Sequence, residues 1–113
     1  MSSLQLSNYL RSNRKRLTLS QKEVAFLLGA QSEANVCRHE RFSRQPSLET
    51  ALAYEVIFKR STSELFGGLY QKVERDVAAR AKTLSKKMNG EKPQTARKRE
   101  IVTDLAAGIN RLQ

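Results

Sequence analysis

Helix start and stop signals crowd the stretch from residue 20 to residue 64, and a chain punctuated this densely can fold there only into several short helices. Ser20 is followed three positions on by Glu23, and Ser61 by Glu64. In each pair the hydroxyl can accept a first-turn backbone N–H while the carboxylate reaches back to the serine's own N–H, an arrangement that opens a helix. Gly29 supplies a left-handed stop, Ser32 can cap a helix reaching about Arg41, and Pro46 with Ser47 opens the next. Val24, Ala25, Leu27 and Leu28, then Ala34, Val36, Cys37 and His39, then Leu48, Ala51, Leu52, Val56 and Ile57 are read as facing a core. Upstream, Leu4, Leu6, Tyr9, Leu10 and Leu17 fall on one helix over 4–17. Runs of strict alternation rich in β-branched residues are missing, so the spacing predicts an all-α chain.

Beyond residue 64 the pattern changes. Leu65, Leu69, Val73, Val77, Ala81, Leu84 and Met88 recur at three- and four-residue steps, which predicts one long helix to about residue 89. The segment NGEKPQT at 89–95 breaks it through Gly90 and Pro93, and a last helix over 96–112 carries Ile101, Val102, Leu105, Ala106, Ile109 and Leu112. The chain therefore divides into residues 1–68 and a helical extension, 69–113. Isolated helices of this kind are marginal in water, so their apolar stripes need a partner. The last helix could fold back on the long one, pair with a second copy, or dock on another protein. The steps drift from a strict heptad, which argues against an extended coiled coil. Contact between two copies is the favoured reading.

Charge narrows the partners. The 113 residues carry 21 Lys and Arg against 11 Asp and Glu, a formal net charge of +10. Ten basic and six acidic residues precede position 69, eleven and five follow it, so the extension is the more cationic part. A molecule this basic attracts phosphates, and nucleic acid leads over acidic lipid. With one cysteine and one histidine there is no internal disulfide to form and no metal-ligand cluster to expect. A Ser/His/Asp set, a phosphate-cradling glycine loop and a paired acid and base are equally missing, so neither an enzyme nor a cofactor is expected. The longest apolar run, VAFLLGA, is far too short for a membrane span, and the N-terminal segment lacks a signal-peptide apolar region. The expected location is cytoplasmic and nucleoid-associated, with no membrane partner.

Two short helices joined across Gly29 suggest a helix-turn-helix. Over roughly residues 8–68 the chain resembles the lambda-repressor-like (Cro/repressor, XRE) helix-turn-helix family. The resemblance rests on the opening Leu19, Ser20, Gln21; on Val24, Ala25, Leu28 and Gly29; on the helix end Val36, Cys37, Arg38, His39, Glu40, Arg41; and on the loop Arg44, Gln45, Pro46, Ser47. It implies a five-helix DNA-binding domain carrying the helical extension. Three departures stand out: the segment between Gly29 and Val36 is one residue longer than the family pattern, Phe42 stands where the family prefers glycine, and Lys59 and Arg60 replace a glycine and an aliphatic residue. A left-handed backbone would be costly for Phe42, so an altered loop or a ring packed on the core is expected there.

Candidate DNA contacts follow. Gln31, Ser32, Glu33 and Asn35 lie at the tip of the candidate recognition helix, where Asn can pair with adenine and Glu can accept from cytosine. Ser32 could equally serve only as a cap, and Glu33 only favour the helix dipole. The resemblance places a groove-contacting side chain at Arg38 and a phosphate-contacting glutamine at Gln21. Arg41 and Arg44 flank the following loop as phosphate partners. By the same resemblance Arg14 and Glu40 form a partly buried ion pair tying the first helix to the recognition helix, His39 fills a bulky core-edge position, and Cys37 is a small packing residue.

The reading that gathers these features is a sequence-specific regulator of transcription, a repressor bound as a homodimer to an inverted repeat in double-stranded DNA. Two alternatives stay open: an antitoxin whose residues 69–113 bind a toxin, and an adaptor that coats nucleic acid through charge alone.

Overall fold

The computed structural model describes residues 8–29, 32–89 and 96–108, and every regular element among them is helical. The elements are α1 (Leu10–Arg16), α2 (Gln21–Leu27), α3 (Glu33–Glu40), α4 (Leu48–Phe58), α5 (Thr62–Leu65), α6 (Gly67–Asn89) and α7 (Ala96–Ala106). They fall into two units, Met1–Tyr70 and Gln71–Gln113.

The starts are where the serines place them. Ser20 and Ser61 form reciprocal capping boxes with Glu23 and Glu64, while Ser32 and Ser47 accept the backbone N–H of Asn35 and Thr50. The α1 start differs from expectation. Asn8 Oδ1 accepts from the Leu10 N–H at 3.1 Å, and the Tyr9 N–H donates to the Leu65 carbonyl at 2.8 Å. Tyr9 is thereby drawn to the end of α5 and half exposed, and the helix begins at Leu10. Leu4 and Leu6 lie outside the described residues.

Three helix ends use a left-handed residue other than glycine: Thr18 after α1, Phe42 after α3 and Lys59 after α4, with φ of 60°, 64° and 56°. Phe42 thus takes the costly left-handed backbone, and its ring is exposed and not packed on the core. The reason is the hydrogen bonding of the α3 end, where Ser43 N–H donates to Arg38 O at 3.0 Å and Phe42 N–H to His39 O at 3.3 Å. Those two bonds satisfy carbonyls that the helix end would otherwise orphan.

The core of the first unit is Leu10, Val24, Ala25, Val36, Tyr54, Phe58 and Leu65, with Leu17, Leu19, Leu28, Ile57 and Phe66 packed on it. It differs from the expected core in three places. Leu27 is half exposed and Ala34 exposed, so α2 and α3 each bury a narrower stripe than was read. More consequentially, α4 is rotated: Thr50, Tyr54 and Phe58 are buried, and Leu48, Leu52 and Val56 face outward. Tyr54 stacks on Phe58 at 5.8 Å between ring centroids and meets Phe66 edge-on at 6.3 Å. Two aromatic rings remove more apolar area from water than two leucines, which decides the rotation. Arg16 Nη2 donates to the Phe58 carbonyl at 3.1 Å, tying α1 to the end of α4.

The long helix does not continue from α5. Phe66 breaks it with φ −113° and ψ 47°, and α6 starts afresh at Gly67. In the second unit Ala81 and Met88 of α6 meet Val102 of α7 in a small core that Ala106 joins, so α7 folds back on α6. This is the hairpin option, where contact between copies was favoured. Val73, Val77, Leu84, Ile101 and Leu105 stay exposed, and Ile109 and Leu112 lie outside the described residues. No helix of the described residues is long and apolar enough to cross a membrane.

Candidate nucleic-acid interface

One edge of α3 is clamped and the rest of its circumference is open. Val36, His39 and Glu40 are buried, Asn35 and Cys37 half-buried, and Glu33, Ala34 and Arg38 exposed. At 100° per residue Ala34 and Arg38, with Arg41 just past the helix end, fall within about 60° of one another opposite the buried edge, while Glu33 lies beside Glu40 and is exposed because it sits in the first turn.

Glu40 anchors the clamp. Its carboxylate accepts from Arg14 Nε at 2.6 Å, Arg14 Nη2 at 3.2 Å and Gln21 Nε2 at 3.0 Å. The two charged side chains are only 12% and 4% exposed. The Glu40 hydrogen bond holds the Arg14 guanidinium above its ordinary range against the opposing effect of burial. Arg14 Nη1 also donates to the Leu19 carbonyl at 3.0 Å, so one arginine joins α1, the turn before α2, and α3.

His39 forms the second clamp. Its Nδ1 shares a 2.8 Å hydrogen bond with the buried Tyr54 hydroxyl, the rings meet edge-on, and Asn8 Nδ2 donates to the His39 carbonyl at 2.9 Å. Burial, then the charge of Glu40, pushes the Tyr54 phenol well above its usual value, so it stays protonated. Burial, then the Arg44 charge, holds the His39 imidazole below its usual value of 6.5. A native state that binds this proton less readily than the unfolded chain is fully stable above that unfolded value and loses stability as pH falls through it towards the native one. The thermal midpoint should therefore drop between pH 7 and pH 5, beginning near about 6.5. His39→Gln, which has no proton to take, should flatten that slope, and a wild-type midpoint constant over the range would contradict the assignment.

Of the candidate contact residues Arg38 lies on the open side of α3, and the others are distributed around it. Arg38 Nη1 donates to Asn35 Oδ1 at 3.0 Å, one turn away, so Asn35 holds the guanidinium and is half-buried at its side. Ser32 caps α3 through its hydroxyl, at 3.1 Å from the Asn35 nitrogen. Gln21 is turned towards Glu40, which uses one of its two amide protons. Glu33 and Arg41 line an open cleft of about 560 Å³ together with Arg11, Lys15, Ser20, Gln21 and Cys37, with Arg14 and Glu40 at its floor. Arg44 is exposed in the loop between α3 and α4, and Gln31 lies outside the described residues.

Three residues of this face were not anticipated. Arg11 and Lys15, four apart on α1 and exposed, add their charges to the cleft. Their i, i+4 spacing around Arg14 was legible, but only the fold shows that α1 borders α3. Ala34 was assigned to a core and instead presents a methyl group on the open side. No group of three His, Cys, Asp or Glu side chains among the described residues could hold a metal ion.

Comparison with protein-family models, with curated proteins and with solved structures finds no match to this chain.

Proposed function

We propose that the chain is a sequence-specific DNA-binding regulator of transcription, with α2 and α3 as the two helices of a lambda-repressor-like helix-turn-helix. The observation that carries this reading is the open side of α3: a helix clamped along one edge by Glu40 and His39 that presents Ala34, Arg38 and Arg41 on the opposite side, with Glu33 exposed at its first turn. A short helix held this way can enter the major groove, which admits one α-helix and displays a distinct pattern for each base pair.

The roles divide by chemistry. Arg38, oriented by Asn35, offers the remaining edge of its guanidinium to guanine O6 and N7, Ala34 meets a thymine methyl, and Glu33 accepts from cytosine N4. Arg11, Lys15, Arg41 and Arg44 neutralise phosphates on either side, and Gln21 donates its remaining amide proton to one. The protein works in the cytoplasm as a repressor: two copies cover an inverted repeat and exclude other proteins from it. It is a binder and not a catalyst.

Selection of bound sequences from a random duplex pool tests the reading. The expected result is a palindrome containing a G·C pair that Arg38→Ala no longer prefers, at a cost of about 1–3 kcal/mol in affinity. Uniform weakening over all sequences would make Arg38 a phosphate clamp. A flat pool, with binding that falls by about 0.9 log units per phosphate contact for each log unit of salt, would replace sequence reading by charge-driven coating.

A further inference from the structure

Residues 77–89, the C-terminal half of α6, contain Arg80, Lys82, Lys86 and Lys87 and no acidic residue. A solvated helix face ordinarily sets an acid four residues from a base, which stabilises the helix, whereas like charges at that spacing weaken it. α6 uses the favourable pairing at Lys72, whose Nζ donates to Asp76 at 2.8 Å. It then places Lys82 and Lys86 four apart and leaves both exposed.

At 100° per residue Arg75, Lys82 and Lys86 fall within ~40° of one another, in a stripe ~16 Å long. Exposed Ala79 fills the gap in it. Glu74 and Asp76, the carboxylates of α6, point ~100° to either side of Arg75. The three cations are exposed, and among the described residues none of them has an ion-pair partner. Ala81 and Met88 hold α6 to α7 along another edge, so the stripe takes no part in the hairpin core.

We infer that this stripe is a second DNA-contacting surface, which takes the phosphate backbone of a duplex without reading its bases. A duplex carries one phosphate for each ~1.7 Å of its axis, about ten over the length of the stripe, so three cations in line find partners wherever they land. The second unit holds eleven basic residues against five acidic, net +6, and its field draws the polyanion in. Such contacts add affinity on every sequence alike. The choice of DNA among polyanions rests on the reading of the first unit, whereas the phosphate chemistry of the stripe does not.

The placement of the apolar residues disfavours a lipid surface. A helix that lies on a membrane buries its apolar face. Val73, Val77 and Leu84 are exposed ~160–180° from Arg75, so a bilayer meeting that row would stand about 10 Å from the stripe, across the width of the helix. Salt screens charges over ~8 Å, which leaves the stripe little attraction to such a surface. Arg80 and Lys87 lie closer to the apolar row and serve as the internal control.

Titration of the full chain against a random-sequence DNA duplex at several salt concentrations is the test. Each lost phosphate contact lowers the log–log salt slope by about 0.9, so Lys82→Gln with Lys86→Gln should lower it by about 1.8. Lys82→Arg with Lys86→Arg should keep the wild-type slope. Arg80→Gln with Lys87→Gln, which removes as much charge from elsewhere on α6, should keep it too. All these positions are exposed and the new residues are good helix formers, so the far-UV spectrum should not change. If the double glutamine variant loses helix, the comparison rests on Arg75→Gln, with an expected change of about 0.9. The same difference should persist in an Arg38→Ala background, which separates this surface from the first unit. No binding of random duplex, a slope indifferent to the stripe, or an equal fall with the control pair overturns the proposal. So does a stripe variant that keeps the DNA slope and loses binding to phosphatidylserine vesicles, which would assign the cations to lipid.

Discussion

Glu40→Ala should destabilise the first unit by about 3–5 kcal/mol, the cost of leaving one member of a buried ion pair without its partner. The side chain removed is 4% exposed and accepts three hydrogen bonds, two from Arg14 and one from Gln21. Arg14 keeps its bond to the Leu19 carbonyl, but its charge is then left in a site where water reaches only 12% of the side chain. Domains of this size have about 5–15 kcal/mol in total, so the loss removes a large part of the stability. At about 4–8 °C per kcal/mol the thermal midpoint should fall by at least ~12 °C. Glu40→Gln should fall less, since an amide oxygen still accepts from Arg14. Replacing both partners, Arg14→Met with Glu40→Leu, should recover much of the loss, because an apolar pair of similar volume avoids the burial of charge. Thermal unfolding followed by circular dichroism reads all three. A Glu40→Ala midpoint within ~3 °C of wild type would remove the clamp from the account of α3, even if DNA binding were lost.

Where helices begin was legible because the signals are local. Ser20, Ser32, Ser47 and Ser61 each bond a backbone N–H three residues away, and nothing distant in the fold is needed for that. The start of α1 was not legible, since Tyr9 is held by the Leu65 carbonyl across 56 positions of sequence. The break at Phe66 was hidden for a related reason: Leu65 and Leu69 keep the helical spacing straight through it, while the backbone turns to bring α5 onto the core. The resemblance named Arg14 and Glu40, and the structure places them 2.6 Å apart. It gave no hint that Gln21 would turn inward to the same carboxylate, nor that Arg11 and Lys15 would border α3, because these depend on how α1 lies beside the other two helices.

Tyr54→Ala should cost about 3–5 kcal/mol, and Leu52→Ala, two positions earlier, no more than about 0.5. Spacing alone could not choose between these outcomes, because the sequence LETALAYEVIF is apolar nearly all the way round. An even distribution of hydrophobic residues defines no preferred face, and the tertiary contacts decide. Tyr54 is fully buried, stacks on Phe58 and bonds His39, so truncation opens a ring-sized cavity and strands the Nδ1 of a buried imidazole. Tyr54→Phe separates the two parts: it keeps the ring and should cost about 0.5–1.5 kcal/mol for the hydrogen bond. Leu52 is half exposed, and its removal leaves no cavity. Equilibrium urea unfolding of the three variants orders them directly. If Leu52→Ala proved as damaging as Tyr54→Ala, the helix would be rotated the other way, His39 would lose its partner, and the row of Leu48, Leu52 and Val56 would belong to the core.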